Sequence, residues 1–407
     1  MEEVLEIENF GPISKAKINL KKYIVLIGPQ SSGKSTIAKL IALFRSFSLF
    51  ERRKEHDLER HLYELGMKNY LMPNTKITYK SSLYSFVYSQ EKSSIKFVKE
   101  KTADFIRFEY PLFARDRFDL KERRHFLRMI QHDFHGEDFK MDLSYYIPAE
   151  RVIVSLIAEK SFSFFRYQKE LKLPIVVSDF GIQYQAALDE EYYNRRKMHS
   201  INKLKTLGNS RIHLSIENSL PKINVAHGPM LDLAESSSGV QSLIPLLLVA
   251  DYIFNGNDDY ESKEKINIIR NTLIVEEPEQ NLFPQTQKEL IYDLVAMCTP
   301  VEKKKHLPEN QLVICTHSPY TLSCFNNLLM AGQKVEKFKK SVEKILDSEA
   351  YINASDFAAY YINPGKNRAS GSKAISIMDK HTGLIGENAL DDVSVPIMNE
   401  FERLLDL

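Results

Sequence analysis

A chain of 407 residues is too long for one small core and requires a large α/β body with insertions, or two lobes. Hydrophobic residues at 43% and charged residues at 27% exclude a disordered chain, while 55 basic against 54 acidic residues leave only local patches to attract nucleic acid or an anionic surface. Cys298, Cys315 and Cys324 lack CxxC spacing, which points to a reducing, cytoplasmic setting; the acidic start Met1-Glu2-Glu3-Val4 and a longest apolar run of only Leu243 to Ala250 predict no membrane span.

Val4 to Ile7 and Ile24 to Ile27 read as strands on either side of a turn at Gly11-Pro12, and the second enters a glycine-rich loop followed by a helix from Ser35 to Phe47. Lys76 to Lys99 alternates apolar and polar residues between Ser-rich turns, an antiparallel meander. Arg115 to Gln131 is charged and helical in pattern, and Ser144 to Ile147 reads as a strand ended by Pro148. Between about 159 and 210 the chain is helical and charged with little apolar periodicity, which predicts an insertion projecting from the body. From Ser236 the order is helix, strand Thr272 to Val275, helix Gln285 to Met297, strand Gln311 to Thr316 and helix Pro319 to Met330, an alternation that predicts a parallel sheet. Tyr360 to Ile362 and Ala374 to Met378 read as strands, and Val395 to Leu405 as a last helix. Three regions are expected: an N-terminal lobe over 1–158, a helical charged insertion over 159–215 and a C-terminal lobe over 216–407.

Gly28-Pro29-Gln30-Ser31-Ser32-Gly33-Lys34-Ser35 fits G-x-x-x-x-G-K-S between a predicted strand and a predicted helix. Such a loop turns backbone N–H groups toward phosphates, with Lys34 as a point charge and the Ser35 hydroxyl as a magnesium ligand. Leu273-Ile274-Val275-Glu276-Glu277 is an apolar strand ending in two carboxylates, one for the metal side and one to orient or deprotonate water. A pair of acids at a strand end is otherwise a solvated turn. His317 follows the next strand at the edge where parallel sheets bind ligands, a γ-phosphate contact or a structural histidine. Ser237-Ser238-Gly239-Val240-Gln241 caps a helix, an ordinary cap or an anion site.

Taken in order, these elements resemble the ATP-binding-cassette ATPase core of the SMC and RecF class. More narrowly they resemble the OLD-like group of AAA-type ATPases in bacterial anti-phage defence systems of the Septu, PARIS or retron-associated type. The residues that carry the likeness are Ile7-Glu8-Asn9-Phe10, Gly28 to Thr36, Tyr146 to Arg151, Ser236 to Gln241, Val275 to Leu282 and Thr316-His317-Ser318-Pro319. The resemblance implies an α/β fold with a cassette-like P-loop core, an antiparallel β lobe and a helical insertion. It implies ATP and Mg2+ as ligands and a head-to-head dimer or higher homo-oligomer in which Ser238 and Gly239 act on the nucleotide of the other protomer, with Gln241 a further nucleotide-binding residue. Glu277 would be the catalytic carboxylate, Glu276 with Ser35 the magnesium side, His317 the switch histidine, and Asn281-Leu282 the loop at the dimer face. Three departures stand out: Glu276 where Asp is usual, a serine-rich signature, and Phe283 where relatives often carry His. The glutamine loop has only Gln90 and Gln131 as candidates.

A Toprim nuclease constellation is absent from the residues after His317, since adjacent Asp391-Asp392 would face opposite sides of a strand. His125, His132 and His135 lack an HNH context. A nuclease or other effector is therefore expected on a separate partner chain. Nucleic acid could meet Arg115, Arg117, Lys121, Arg123, Arg124 and Arg128, or Arg195-Arg196-Lys197, although such runs are commonly solvated helix faces. A nucleotide-switched scaffold with negligible turnover is the competing reading; a transporter subunit fits the serine-rich signature poorly.

Overall fold

The computed structural model describes residues 3–46, 58–89, 92–97, 141–158, 173–188, 204–225, 228–255, 268–299, 309–346, 350–365, 371–387, 399–400 and 403–404. Strands β1 (Val4–Phe10) and β2 (Ile13–Asn19) form an antiparallel hairpin across Gly11-Pro12. The turn therefore closes a hairpin instead of leading directly to the phosphate-loop strand. β2 exists because Ala16 and Ile18 face the core while Lys15 and Lys17 face water; Ile13, at its start, is buried against Gly33. β3 (Tyr23–Ile27) is buried along its whole length and runs into the glycine-rich loop. Helix α1 (Lys34–Phe44) ends earlier than the expected Phe47, at Arg45, whose guanidinium is held by Glu3.

A short helix α2 (Leu58–Glu64), not anticipated, precedes β4 (Leu71–Lys80), β5 (Tyr84–Ser89) and β6 (Lys92–Phe97), the expected meander. β4 also pairs with β1, so the meander extends the main sheet. β7 (Met141–Ile147) is followed by a 3-10 turn over Ala149–Arg151 and helix α3 (Val152–Ala158). Then come α4 (Ile175–Ala187), α5 (Lys205–Asn209) and three strands that the sequence pattern did not reveal, β8 (Ile212–Glu217), β9 (Leu220–Val225) and β10 (Met230–Asp232). The rest is α6 (Ser238–Asn255), β11 (Ile268–Glu276), α7 (Pro284–Cys298), β12 (Glu309–Thr316), α8 (Pro319–Leu346), β13 (Phe357–Asn363) and β14 (Ser372–Ser376). α8 passes the expected end at Met330, with an irregular residue at Phe338.

Eleven strands make one mixed sheet in the order β6-β5-β4-β1-β2-β14-β13-β3-β12-β11-β7. The flank β6-β5-β4-β1-β2 is antiparallel and the flank β13-β3-β12-β11-β7 is parallel throughout; β14 joins them, parallel to β2 and antiparallel to β13. β8, β9 and β10 form a separate antiparallel sheet. The molecule is thus α/β with a parallel P-loop sheet and an antiparallel extension, and the expected N- and C-terminal lobes supply strands to the same sheet.

The described parts of the expected projecting insertion lie on the body instead. Val176, Val177, Phe180, Tyr184 and Ala187 of α4 are buried, and Asp293 on α7 accepts hydrogen bonds from the Thr206 N–H at 2.8 Å and the Lys205 N–H at 3.2 Å at the start of α5. Burial around most of α4 leaves no polar stripe, which is why its period is hard to read. α6 is the one described helix long and apolar enough to cross a membrane by composition, and 78% of it is buried inside the protein.

At the N-terminal ends of the parallel strands sits a buried charge cluster. The Glu3 carboxylate accepts from Arg45 at 2.8 and 2.9 Å, from the Tyr79 hydroxyl at 2.7 Å and from Arg270, while Arg270 also holds Asp142. Burial alone would push the Glu3 pKa up, but Arg45 and Arg270 outweigh it and the pKa lies below the ordinary carboxylate value. The cluster fastens β1, β7 and β11 to the end of α1.

Candidate functional site

The C-terminal ends of the parallel strands gather the chemistry. Gly28 leaves β3 at φ 150°, and a Cβ there would lie 2.6 Å from the Ile362 carbonyl oxygen of β13, so a side chain has no room. Pro29, Gln30, Ser31 and Ser35 are solvent-facing, whereas Ser32, Gly33, Lys34 and Thr36 are buried. α1 begins without a capping side chain, leaving its first N–H groups available to an anion. The Lys34 ammonium donates to the carbonyls of Gly28 at 2.9 Å and Pro29 at 2.8 Å. Burial lowers its pKa, against the opposing pull of Cys315, Glu277, Glu279 and Glu276.

Glu276 and Glu277 end β11 as expected. Glu276 is buried with Oε1 lacking a hydrogen-bond partner among the described residues, beside Tyr146, whose own pKa is raised by burial and then by Glu276. Glu277 has φ 43°, a left-handed conformation costing a non-glycine residue about 1–3 kcal/mol. Its N–H donates to the Cys315 carbonyl at 2.8 Å, and its side chain turns outward, with Oε1 3.4 Å from His317 Nε2. Burial and then Lys34 lower the His317 pKa, with Glu277, Glu279 and the Gly28 backbone pulling the other way, a shift that favours the neutral imidazole.

Residues to which the sequence pattern assigned no role hold these groups in place. Glu279 Oε1 accepts from the Thr316 hydroxyl at 2.8 Å and the His317 N–H at 2.7 Å, locking the end of β12 to the turn after β11. Gln287 on α7 donates to the Leu282 carbonyl at 2.9 Å and accepts from the Ser318 hydroxyl at 2.7 Å. Arg151, fully buried, donates to four main-chain carbonyls, those of Pro148, Ser242, Glu276 and Glu277. The third acid of Glu276-Glu277-Pro278-Glu279 was a visible signal for Glu279. An arginine between an apolar strand and the apolar Val152-Ile153-Val154 was one for Arg151.

The segment expected to act as the signature lies elsewhere. Ser238 starts α6, and a Cβ on Gly239 would fall 2.7 Å from the Asn281 carbonyl oxygen, so only glycine lets the segment touch the Asn281-Leu282 loop. Gln241, expected at the nucleotide, is engaged elsewhere: its amide donates to the carbonyls of Ala234 at 2.7 Å and Ser236 at 2.9 Å and shapes the turn before α6. Among the described residues no hydrogen bond or ion pair joins Ser238 or Gly239 to the phosphate loop of the same chain. Phe283, at the cap of α7, and Tyr320, at the start of α8, are exposed large side chains close in sequence to the Asn281 loop and to His317. Gln90, Gln131, the basic runs at 115–128 and 195–197, His125, His132, His135, Asp391-Asp392 and nearly all of the expected last helix lie outside the described residues.

These residues fit a magnesium nucleotide. Among the described residues, Glu276 Oε1, Glu279 Oε2 and Ser32 Oγ are buried without hydrogen-bond partners and are open to the polar groups of a ligand. No cluster of three His, Cys, Asp or Glu side chains able to hold a metal occurs among the described residues. Magnesium is commonly bound by one or two protein groups together with phosphate oxygens, which Ser35 and Glu276 can provide.

A family model described as AAA ATPase domain, AAA_15, matches residues 1–206 and 151–322. No curated protein matches the chain. Among solved structures, the SMC head domain from Thermotoga maritima is similar at TM-score 0.41 and 11% identity, covering 92% of this chain and 98% of that one. The Smc head domain with an extended coiled coil bound to the C-terminal domain of ScpA, from Pyrococcus furiosus, is similar at TM-score 0.41 and 13% identity, covering 98% of this chain and 99% of that one.

Proposed function

The chain belongs to the AAA_15 family of AAA ATPase domains, and we propose that it binds ATP with Mg2+ and hydrolyses it, with Glu277 as the catalytic carboxylate. The observation that carries this reading is the Glu277–His317 pair, 3.4 Å apart, at the sheet edge that also bears the phosphate loop. Backbone N–H groups of Gln30 to Thr36 and the Lys34 ammonium bind the phosphates. Lys34 is released from its loop carbonyls for that purpose. Ser35 and Glu276 would hold the magnesium ion, which when bound would supply positive charge against the phosphates. Glu277 Oε1 accepts the proton of the attacking water, and neutral His317 holds that carboxylate and faces the γ-phosphate.

Ser238 and Gly239 complete the site of a second protomer in this reading. Their packing on Asn281 of their own chain, apart from their own phosphate loop, supports action in trans, and exposed Phe283 and Tyr320 supply apolar surface for the contact. The resemblance to OLD-like defence ATPases extends the proposal to a separate effector chain, such as a nuclease, regulated by the ATP-bound dimer. Copurification with the product of the neighbouring gene tests that extension.

The central test compares two variants. Glu277→Gln is expected to lower turnover about 10²- to 10⁴-fold while retaining ATP and accumulating a dimer by light scattering. Lys34→Ala is expected to lose ATP binding itself. Unchanged phosphate release in Glu277→Gln removes Glu277 from the mechanism.

A further inference from the structure

The turn after β7 and the start of α3 place two side chains on the first turns of α6. Arg151 Nε donates to the Ser242 carbonyl at 3.2 Å, and the Ser155 hydroxyl, one helical turn further on, donates to the Gln241 carbonyl at 2.7 Å. The second bond has a specific cause. Pro245 lies inside α6 and has no N–H for the Gln241 carbonyl four residues back, so Ser155 provides the missing donor.

The same Arg151 guanidinium reaches the other way. Nη1 donates to the Glu276 carbonyl at 2.8 Å and to Pro148 at 3.3 Å, and Nη2 to the Glu277 carbonyl at 2.7 Å. None of these partners is a carboxylate, although burying a cation without a directly paired anion is costly. A planar fork with several donors in fixed directions can bridge separate carbonyls, which an ammonium cannot do as well. The Glu277 main chain that it grips is the one held at φ 43°.

We propose that Arg151 is a positioning residue: it holds the strained main chain of Glu277 and, through the same guanidinium, ties it to the first turn of α6, so that signature helix and catalytic carboxylate move as one unit. This rests on the hydrolysis reading above. Signature contacts made with a second copy of the chain would then be transmitted within each protomer to its own Glu277. The two ATP sites of a dimer would be linked by Arg151.

The experiment uses the full chain as wild type, Arg151→Lys, Arg151→Gln, Ser155→Ala and the Arg151→Lys/Ser155→Ala double variant, and measures kcat, KM, the Kd of a fluorescent ATP analogue and the melting temperature. Arg151→Gln is expected to lower kcat about 10²-fold, the scale of a small misplacement of a catalytic group, with Kd within about twofold of wild type. Arg151→Lys should fall between. Ser155→Ala, which touches α6 but not Glu277, should lower kcat about threefold at unchanged Kd, and the double variant should lose less than the product of the two single losses, as coupled groups do.

If Arg151→Gln does not fold, Arg151→Lys and Ser155→Ala decide. Wild-type kcat in both, or a parallel fall of kcat, nucleotide affinity and melting temperature, overturns the proposal in favour of a purely structural arginine. Full multiplicativity in the double variant overturns the link to α6. A wild type without Glu277-dependent turnover overturns the hydrolysis reading and this proposal with it, whereas Glu277-dependent turnover indifferent to Arg151 overturns this proposal alone.

Discussion

The two ends of the parallel strands are both buried, polar and charged, yet they are built on opposite terms. At the N-terminal end, Glu3, Arg45, Asp142, Arg270 and Tyr79 answer one another, and among the described residues Arg45 Nη1 is the one side-chain atom of the group left without a hydrogen bond. At the C-terminal end, Ser32 Oγ, Glu276 Oε1, Glu279 Oε2 and Gln280 Oε1 are left unpaired among the described residues, and Ser31, Glu277 and Asn281 all have positive φ. Arg270 and Glu276 lie on the same strand, about 20 Å apart at the usual rise per residue. Each unmet buried group costs about 1–3 kcal/mol, so one edge stabilises the fold while the other holds strained and unpaired groups ready for a ligand.

The comparison breaks most sharply at Glu3. Glu3→Ala leaves Arg45 and Arg270 buried without their shared anion and is expected to cost about 3–5 kcal/mol of stability by urea unfolding, with ATP affinity of the folded fraction unchanged. The converse holds at the other edge, where Glu277→Gln should change turnover with no loss of melting temperature. An equal stability loss there would erase the distinction between the edges.

A smaller effect is expected at Gly239, where a methyl group would meet the Asn281 carbonyl oxygen at 2.7 Å. Gly239→Ala should cost about 1–3 kcal/mol by chemical unfolding and disturb turnover through the Asn281 loop. Stability equal to wild type would mean that the segment yields without strain.

The smallest effect sharpens the comparison through pH. Glu3 has a folded pKa below its ordinary value of 4.5, so its contribution is complete above that pH and is lost as pH falls through the depressed folded value. Melting temperatures of wild type and Glu3→Gln should therefore differ at neutral pH and converge in the acid limb below pH 4.5. Asp142 works in the other sense: burial raises its pKa despite Arg270, so its protonation on acidification favours the fold and partly offsets the loss. A constant gap across the range would show that Glu3 acts by shape and not by charge.

The site was legible where function is encoded in consecutive residues. Gly28 to Thr36, Glu276-Glu277 and His317 each follow an apolar strand, and the parallel pairing of β3, β12 and β11 brings them to one edge. Arg151 stood out as a charge between apolar stretches, but its role was not legible, because its partners are backbone carbonyls at positions 148, 242, 276 and 277, and a carbonyl leaves no mark in a sequence. β2 escaped because Ala16 is a weak apolar signal between Lys15 and Lys17. The hairpin of β8 and β9 turns at Asn218-Ser219, both with positive φ, a cue for a tight turn between the alternating Ile212, Leu214, Ile216 and the strand after it. Tyr360 to Ile362 was readable as a strand, but its place beside β3 depends on pairing across more than three hundred residues of chain.

That pairing bears on how the molecule is made. A chain emerging from the ribosome carries its phosphate loop early, yet β3 acquires its β13 neighbour only after residue 363 has been added, and Ile362 is the residue whose carbonyl crowds Gly28. Until then one edge of β3, buried along its whole length in the finished sheet, has unpaired N–H and C=O groups, the condition under which strands join the wrong partner. A truncated product ending before Phe357 would thus present the nucleotide loop on an open apolar edge, prone to aggregation, whereas a chain that includes β13 closes that edge with its own late-made strand.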